Sequence, residues 1–284
     1  MRIDSHHHLW RYDPADYPWI SDSMAVLKQD FLGAQLLEVA QEHRIDGFVS
    51  VQARQEPEET HALVSIANSL AKSGPEGGSL IKGVVGWVPL MDPNVESMLE
   101  AMADERFIKG FRHVVQDEPD DDFLLGAAFN RGVNLLARFD WNYDLLIFAR
   151  QLKAAIPFVD QHSDLPIVVD HIAKPTISGD IIDPTWESNF CELAKREHVC
   201  CKFSGVVTEI QSEKWSRETI EPYWNTMWSA FGADRVMFGS DWPVCLLRTN
   251  YGDWLDIVED LAAELSEDER AAFFGGNATR FYGL

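Results

Sequence analysis

The chain has 284 residues, of which 46% are hydrophobic and ten are tryptophan, so it holds enough apolar material for a packed core and is not disordered. Its formal net charge of −22 at pH 7 repels phosphate backbones and anionic membrane surfaces, which argues against nucleic acid or a membrane as a partner. The four cysteines include no Cys-x-x-Cys pair, and the N-terminal residues lack a basic segment followed by an apolar run, so we expect a cytoplasmic protein.

Short apolar runs rich in β-branched and aromatic residues recur along the chain and alternate with segments of helical period. Strands that alternate with helices favour parallel pairing through βαβ units. Eight such strands predict a closed (β/α)8 barrel of TIM type that spans residues 1–284 as a single domain. A doubly wound open sheet is the alternative, although no Gly-x-Gly-x-x-Gly turn follows a predicted strand. The predicted strands are Arg2–Leu9, Asp46–Ala53, Ile81–Leu90, Ile108–Val115, Asn142–Phe148, Pro166–Ile172, Val199–Val206 and Val236–Trp242.

Two connecting segments stand out. Within the helical stretch from Tyr251 to Gly276, Ser266 and Glu269 have the spacing of a capping box, which indicates that a new helix begins there. The segment Trp10–Asp30 is aromatic, contains proline and is longer than an ordinary βα turn. Because loops at the C-terminal ends of barrel strands build the pocket in this fold, we expect this long loop to cover it.

Three consecutive histidines, His6 to His8, lie in the first predicted strand. Ile3 precedes them and Trp10 follows, whereas a purification tag would be flanked by linker residues. Since side chains alternate along a strand, His6 and His8 share one face and His7 points to the other. The pair either binds one metal ion or forms a hydrogen-bonded polar plug at the barrel mouth, and the spacing leaves both interpretations open.

Two further strand ends carry chemistry. Asp241 follows the apolar run of the last strand, where its carboxylate can accept a proton from an attacking water molecule or cap the next helix. His171 is a third imidazole, at the end of the sixth strand, and Lys174 follows it. Asp170 is expected to face away from His171 and to fix its neighbours.

With His-x-His on the first strand, a histidine on the sixth and an aspartate on the eighth, the chain resembles the amidohydrolase superfamily, and within it a branch of sugar lactonases. The stretches DSHHHLW, GFRH, DHIAKP and FGSDWPV are specific as a set and occur in order from one end of the chain to the other. The resemblance implies a (β/α)8 barrel that hydrolyses a cyclic ester. The substrate that it implies is a sugar lactone, with L-fuconolactone or a related L-galacto-configured lactone first.

The resemblance also implies a site for at most one divalent metal ion, with zinc as the first choice. The chain departs from the fuller two-metal pattern of the superfamily, since its fourth strand offers Arg112 and His113 in place of a bridging lysine and its fifth has no histidine at the tip. A lactone carbonyl is more reactive than an amide, so the ion is also compatible with a dispensable role. The expected ligands are His6, His8, His171 and Asp241.

The expected mechanism begins with Asp241, which deprotonates the water that attacks the lactone carbonyl. Arg112 then stabilises the charge on the carbonyl oxygen, together with a metal ion or protonated imidazoles, and His113 or His171 protonates the leaving ring oxygen. Strict alternation would send Arg112 and His113 to opposite faces. Ser204 and Gly205 indicate a close backbone approach to ligand, not a nucleophile. Because a sugar offers hydroxyls and an apolar face, the predicted substrate-binding residues are Trp19, Gln52, Trp87, Tyr143 and Lys174.

Two other functions compete with this one. A pyrone-dicarboxylate lactonase or a decarboxylase of the same superfamily would bind an anionic ligand and would favour several arginines in the pocket. Near the strand ends the sequence offers only Arg112, with Arg54 and Arg248 as further candidates, which favours a neutral sugar. A catalytically silent barrel that binds a ligand or a metal is the alternative from a different class, and the set of histidines with Asp241 argues against it.

Overall fold

The computed structural model describes residues 1–179 and 181–284, without the side chain of Glu76. Eight parallel strands follow one another in chain order, each paired with the next. Hydrogen bonds from the His8 N–H to the Trp242 carbonyl (2.7 Å) and from the Asp241 N–H to the His6 carbonyl (2.8 Å) join the two ends of the sheet. The predicted (β/α)8 barrel is therefore confirmed. Its strands are β1 Ile3–His7, β2 Gly47–Val51, β3 Ile81–Gly86, β4 Ile108–Val114, β5 Asn142–Leu146, β6 Ile167–Val169, β7 Val199–Phe203 and β8 Val236–Phe238.

Helices surround the barrel, as expected for βαβ units. The predicted capping box forms, since the Ser266 N–H donates to Glu269 Oε2 over 2.8 Å. Among the described residues, no helix is long and apolar enough to cross a membrane. The helices are α1 Gly33–His43, α2 Pro57–Ser69, α3 Val95–Met102, α4 Ala127–Leu136, α5 Leu152–Gln161, α6 Pro184–Leu193, α7 Arg217–Phe231, α8 Tyr251–Leu261, α9 Glu267–Ala271 and α10 Asn277–Tyr282.

Helix α10 closes the N-terminal end of the barrel. Ala278 and Tyr282 pack into an apolar layer built by inward-facing strand residues such as Val49, Val85 and Val168. The Tyr282 hydroxyl donates to Asp144 Oδ2 of β5 over 2.9 Å. The C-terminal helix is thus the floor of the barrel interior.

The long loop after β1 lies over the opposite end. We call residues 10–31 the lid loop. Reciprocal backbone hydrogen bonds between Trp10 and Phe31 (2.9 and 2.8 Å) join its two ends. The Trp10 ring packs against Tyr17 and Trp19, with ring centroids 5.7 and 5.8 Å apart. Residues 15, 16, 18, 19 and 24 of this loop line a cavity at the barrel mouth, which places the loop over that cavity as predicted.

Candidate active site

The histidines of β1 divide between the two faces of the barrel wall. His6 and His8 point inwards, and their Nε2 atoms lie 3.3 Å apart. His7 points outwards, where its Nε2 lies 2.8 Å from Ser50 Oγ and its ring packs edge-on to Phe48. The alternation of a strand is the whole reason for this arrangement.

Asp241 meets the two inward histidines at the C-terminal rim. Its Oδ1 lies 3.3 Å from His8 Nε2 and 3.8 Å from His6 Nε2. His171 Nε2 lies 4.0 Å from the same oxygen. Residues in or just after β1, β6 and β8, which are far apart in sequence, therefore surround one point, and all of them are buried.

Short-range contacts hold Asp241 in place. Asp4 Oδ1 accepts the N–H of Ser240 over 2.9 Å, and the N–H of Asp241 donates to the His6 carbonyl over 2.8 Å. Asp241 itself adopts a left-handed backbone (φ 57°), a conformation that aspartate and asparagine tolerate better than most residues. The turn after β8 thus aims the carboxylate back towards β1.

Backbone geometry also fixes His171. The residue has a φ of 54° in the turn after β6, and its Nδ1 lies 2.8 Å from Ser204 Oγ. Gly205 passes so close that a Cβ on it would lie 2.5 Å from His171 Nδ1 and 2.8 Å from Asp241 Oδ2. The backbone of Gly205 therefore lies directly against the side chains of His171 and Asp241, and the approach to a ligand predicted at this glycine stays a prediction.

A network of buried charges lies beneath this cluster. Lys202 Nζ contacts Asp144 Oδ2 and lies 2.9 Å from Asp170 Oδ1 and 3.2 Å from His6 Nδ1. Arg112 Nη1 lies 3.0 Å from Asp170 Oδ2 and 3.3 Å from His6 Nε2. Asp170 therefore joins both cations to His6, and it lies inside the barrel instead of facing away as the strand pattern indicated.

Burial and charge set the protonation of the cluster. Burial lowers the pKa of His6 well below its ordinary value and that of His171 to about 4. Burial alone would raise the pKa of Asp241, but His171, His8 and Lys174 outweigh it and lower this pKa. At neutral pH the Asp241 carboxylate is therefore ionised, and His6 and His171 are neutral.

The donor set fits one divalent metal ion. His6, His8 and Asp241 present ligand atoms that face one another, and imidazole with carboxylate is a set that zinc accepts. The Nδ1 of His8 is engaged by the Val51 carbonyl at 2.7 Å, which leaves the lone pair of its Nε2 towards the cluster. A second group, His6, Asp170 and His171, already has Arg112 and Lys202 against its carboxylate.

The cavity above the cluster has a volume of about 550 Å³. It receives four of the predicted catalytic and metal-binding residues, His8, His171, Asp241 and Arg112, and His6 lies directly beneath them. Of the predicted substrate-binding residues, Trp19 and Lys174 line it. The other lining residues include Asp16, Arg54, Gln55, Glu56, Gln116 and Asp117.

Four predicted residues are placed elsewhere. His113 faces the helices, where its Nε2 lies 2.7 Å from Glu118 Oε1 and its ring stacks on Phe123, so the structure does not support it as the general acid. Tyr143 is fully buried between the barrel and helix α5, against Phe158. Both corrections have the same cause, since Arg112 and Asp144 take the inward positions of β4 and β5.

Gln52 and Trp87, which were predicted to bind substrate, contact other residues of the protein and not the cavity. Gln52 is fully buried and supports Arg112, whose carbonyl accepts from Gln52 Nε2 at 3.3 Å and whose Nη2 donates to the Gln52 carbonyl. The backbone of Trp87 is held from both sides by Thr60 Oγ1, at 2.8 and 3.0 Å. Neither side chain lines the cavity.

The sequence did not single out Asp16, it left open whether Lys202 is buried or faces solvent, and it offered Arg54 only as a further candidate for a cation in the pocket. Lys202 lies two residues before Ser204 on the seventh predicted strand, so the two side chains share a face, and this face points into the barrel. Arg54 follows β2 directly and Asp16 belongs to the lid loop, so position at the rim would have identified both. Arg248 does not line the cavity and donates instead to the Ser212 carbonyl.

An eight-stranded barrel with imidazoles at the end of the first strand, a third just after the sixth and a carboxylate just after the eighth has the pattern of an amidohydrolase. The amidohydrolase family model matches residues 3–284, and the chain belongs to this family. Among curated proteins, one from Burkholderia multivorans named L-fucono-1,5-lactonase is 40% identical to this chain, covering 100% of this chain and 96% of its own length. A protein of the same name from Burkholderia ambifaria is 32% identical, covering 99% of this chain and 95% of its own length.

Solved structures agree. A crystal structure of an amidohydrolase from Burkholderia multivorans with bound zinc has a TM-score of 0.92 and 40% sequence identity, and the match covers 100% of this chain and 99% of that one. The two chains therefore share one fold along their whole length.

Proposed function

We propose that this amidohydrolase opens a neutral sugar lactone, with L-fucono-1,5-lactone as the first candidate substrate. The observation that carries the proposal is the cavity, in which an ionised Asp241 faces a space whose described cations are all paired with carboxylates. The names of the two Burkholderia relatives support the same reaction.

The charge of the cavity favours a neutral substrate over an anionic one. Its lining holds three cations, Arg54, Arg112 and Lys174, against four carboxylates, Asp16, Glu56, Asp117 and Asp241. The three cations have carboxylate partners: Arg54 with Asp16 at 2.8 Å, Arg112 with Asp170 at 3.0 Å and Lys174 with Glu209 at 3.7 Å. A pyrone dicarboxylate or an aromatic acid would have to displace one of these carboxylates to gain a counter-ion.

In the proposed mechanism Asp241 accepts a proton from the water that attacks the lactone carbonyl. The guanidinium of Arg112 donates to the carbonyl oxygen as negative charge develops there, in a buried setting where such donors are most effective. Asp241 passes this proton to Nε2 of neutral His171, which lies 4.0 Å from Asp241 Oδ1. His171 then donates it to the ring oxygen as the carbon–oxygen bond breaks, which releases the hydroxy acid and restores the starting protonation of both groups. Trp19 and Lys174 bind the sugar from the sides of the cavity.

We propose zinc as the ion held by His6, His8 and Asp241, which leaves Nε2 of His171 for the proton transfer. When bound, it supplies Lewis-acid polarisation of the lactone carbonyl. The zinc-bound structure at 40% identity supports this choice of metal.

We also propose a reducing, cytoplasmic location. Among the described residues all four cysteines are unpaired, and Cys200 and Cys201 are adjacent in β7. Burial raises the pKa of both thiols, which makes them poor nucleophiles for disulfide exchange. They serve as small packing residues.

The test is a pH-indicator assay of purified enzyme, run metal-free and zinc-replete, on L-fucono-1,5-lactone, L-galactonolactone and 2-pyrone-4,6-dicarboxylate. We expect acid release from the sugar lactones above the uncatalysed rate. Faster hydrolysis of the pyrone would replace the proposal with the anionic alternative. Release from none of the three would favour a ligand-binding barrel.

A further inference from the structure

Two polar residues on the lid side of the cavity form a pair that the mechanism does not use. Asp16 of the lid loop and Arg54, just after β2, both line the cavity, and Arg54 Nη1 lies 2.8 Å from Asp16 Oδ2. The guanidinium carbon of Arg54 also lies 5.7 Å from the ring centroid of Tyr17. The pair thus joins two different loops at the edge of the cavity.

A buried carboxylate behind this pair holds both loops. Glu59, in the first turn of α2, is only 3% exposed. Its Oε2 accepts the N–H groups of Ala53 and Arg54, each over 2.9 Å, and its Oε1 accepts from the Tyr17 hydroxyl over 3.4 Å. One side chain therefore fixes the backbone of Arg54 and the neighbour of Asp16 together.

Burying this carboxylate is unfavourable by itself. Burial raises the pKa of Glu59 to about 7, and an apolar residue at this position of α2 would pack without that penalty. Its three hydrogen bonds all go to the loops that carry the cavity pair, and none goes to the body of α2. Glu59 therefore supports the two loops at the cavity rim from behind, without lining the cavity itself.

The pair suits one type of ligand. An arginine and a carboxylate side by side offer hydrogen-bond donors and acceptors within a few ångströms, which matches neighbouring hydroxyls that must both donate and accept. The carboxylate repels an anion that the arginine would otherwise attract. Such a pair distinguishes a polyhydroxylated ring from a carboxylated one.

We propose that Asp16 and Arg54 form a subsite for neighbouring ring hydroxyls of the lactone, and that Glu59 is a positioning residue that sets Arg54 within it. This inference rests on the proposed lactonase function. It adds a recognition site on the lid side, apart from the cluster around Asp241 where the carbonyl reacts.

The experiment measures kcat and KM on L-fucono-1,5-lactone for Arg54→Met, Glu59→Asp, Glu59→Gln and the double variant Arg54→Met/Glu59→Asp. Arg54→Met removes the charged donor, so KM should rise about tenfold or more with kcat within about threefold, as for loss of a hydrogen bond to a charged group. Glu59→Asp keeps the charge but shortens the reach, so KM should rise by about fivefold. Glu58→Asp, an exposed change in the same turn, is the matched control and should leave KM unchanged.

The remaining variants separate positioning from stability. Glu59→Gln keeps the length and a carbonyl acceptor for the two N–H groups, so it should raise KM less than Glu59→Asp does. If Glu59 acts through Arg54, the double variant should have the KM of Arg54→Met alone. Independent effects that multiply in the double variant, or a Glu59→Asp enzyme with normal KM and a lowered melting temperature, would make Glu59 purely structural.

Two further outcomes complete the test. Normal KM for Arg54→Met would overturn the subsite itself. Absence of lactone hydrolysis by the unsubstituted enzyme would instead overturn the proposed function, before any variant is compared.

Discussion

Asp241→Asn separates the chemical role of this residue from its structural one. Asp241 has a left-handed backbone conformation (φ 57°). Its backbone N–H donates to the His6 carbonyl over 2.8 Å, and its backbone carbonyl accepts from the Cys245 N–H over 2.9 Å. Asparagine tolerates this backbone and keeps both hydrogen bonds. The side-chain amide of asparagine also reaches His8, whose Nε2 lies 3.3 Å from Oδ1 of Asp241.

The expected loss is confined to the rate. Removal of a general base costs about 10²–10⁴-fold in kcat, which corresponds to about 3–5 kcal/mol of the activation barrier. The free energy of unfolding should change by less than about 1 kcal/mol, because the buried contacts are kept. Asp241→Ala is the informative comparison, since alanine in the left-handed region should destabilise the fold by a further 1–2 kcal/mol or so while losing the same activity.

The assays are initial rates of acid release from L-fucono-1,5-lactone and urea unfolding of metal-free protein. A kcat for Asp241→Asn within about threefold of the unsubstituted value would refute Asp241 as the base, given the size of effect expected. Equal losses of stability in the asparagine and alanine variants would refute the argument from backbone conformation.

Three further predictions concern charge and metal. Lys202→Met should lower the free energy of unfolding in urea by about 3–5 kcal/mol, because it leaves buried carboxylates without their cation. Adding Asp144→Asn should recover part of that loss, and additive losses in the double variant would contradict the pairing. His162 has its pKa lowered to about 4, first by burial, so the unfolded chain binds more protons between pH 6.5 and 4 and stability should fall as the pH falls through this range. His162→Gln should reduce the slope of that dependence by the share of one histidine, since His6, His7 and His171 have lowered pKa values as well, and the exposed His61→Gln serves as the control. An unchanged profile for His162→Gln would contradict the assignment. Zinc added to chelated enzyme at about 100 times its Kd should raise the melting temperature by roughly 5–10 °C, and an equal rise in His8→Asn would place the ion elsewhere.

The barrel and the histidine pair were predictable because both follow from periodicity. Alternation alone put His6 and His8 on one face of β1, and repeated apolar runs indicated eight strands. The strands are shorter at their C-terminal ends than the sequence indicated, so the turn residues Asp170 and Asp241 escape strand alternation. For that reason Asp170 points into the barrel beside His171 despite being its neighbour in sequence.

The substrate-binding residues were harder to predict, because an aromatic residue near a strand end packs equally well outside the barrel. Tyr143 lies at the start of β5, Trp87 directly follows β3 and Trp19 belongs to the lid loop, and of the three only Trp19 lines the cavity. The alternation of side chains along a strand indicated that Arg112 and His113 point to opposite faces of β4, but it left open which of the two points into the barrel. That choice depends on the buried anion Asp170, a contact between residues 58 positions apart.

Helix α10, at the C-terminal end of the chain, supports the histidines of β1, which is at the N-terminal end. Tyr282 of α10 touches Asp144, which pairs with Lys202, and Lys202 reaches His6. On the ribosome, the first strand emerges early but lacks its final support until residues 277–282 have been translated and have folded back against it. A nascent chain therefore has its histidines long before it has a working catalytic pocket.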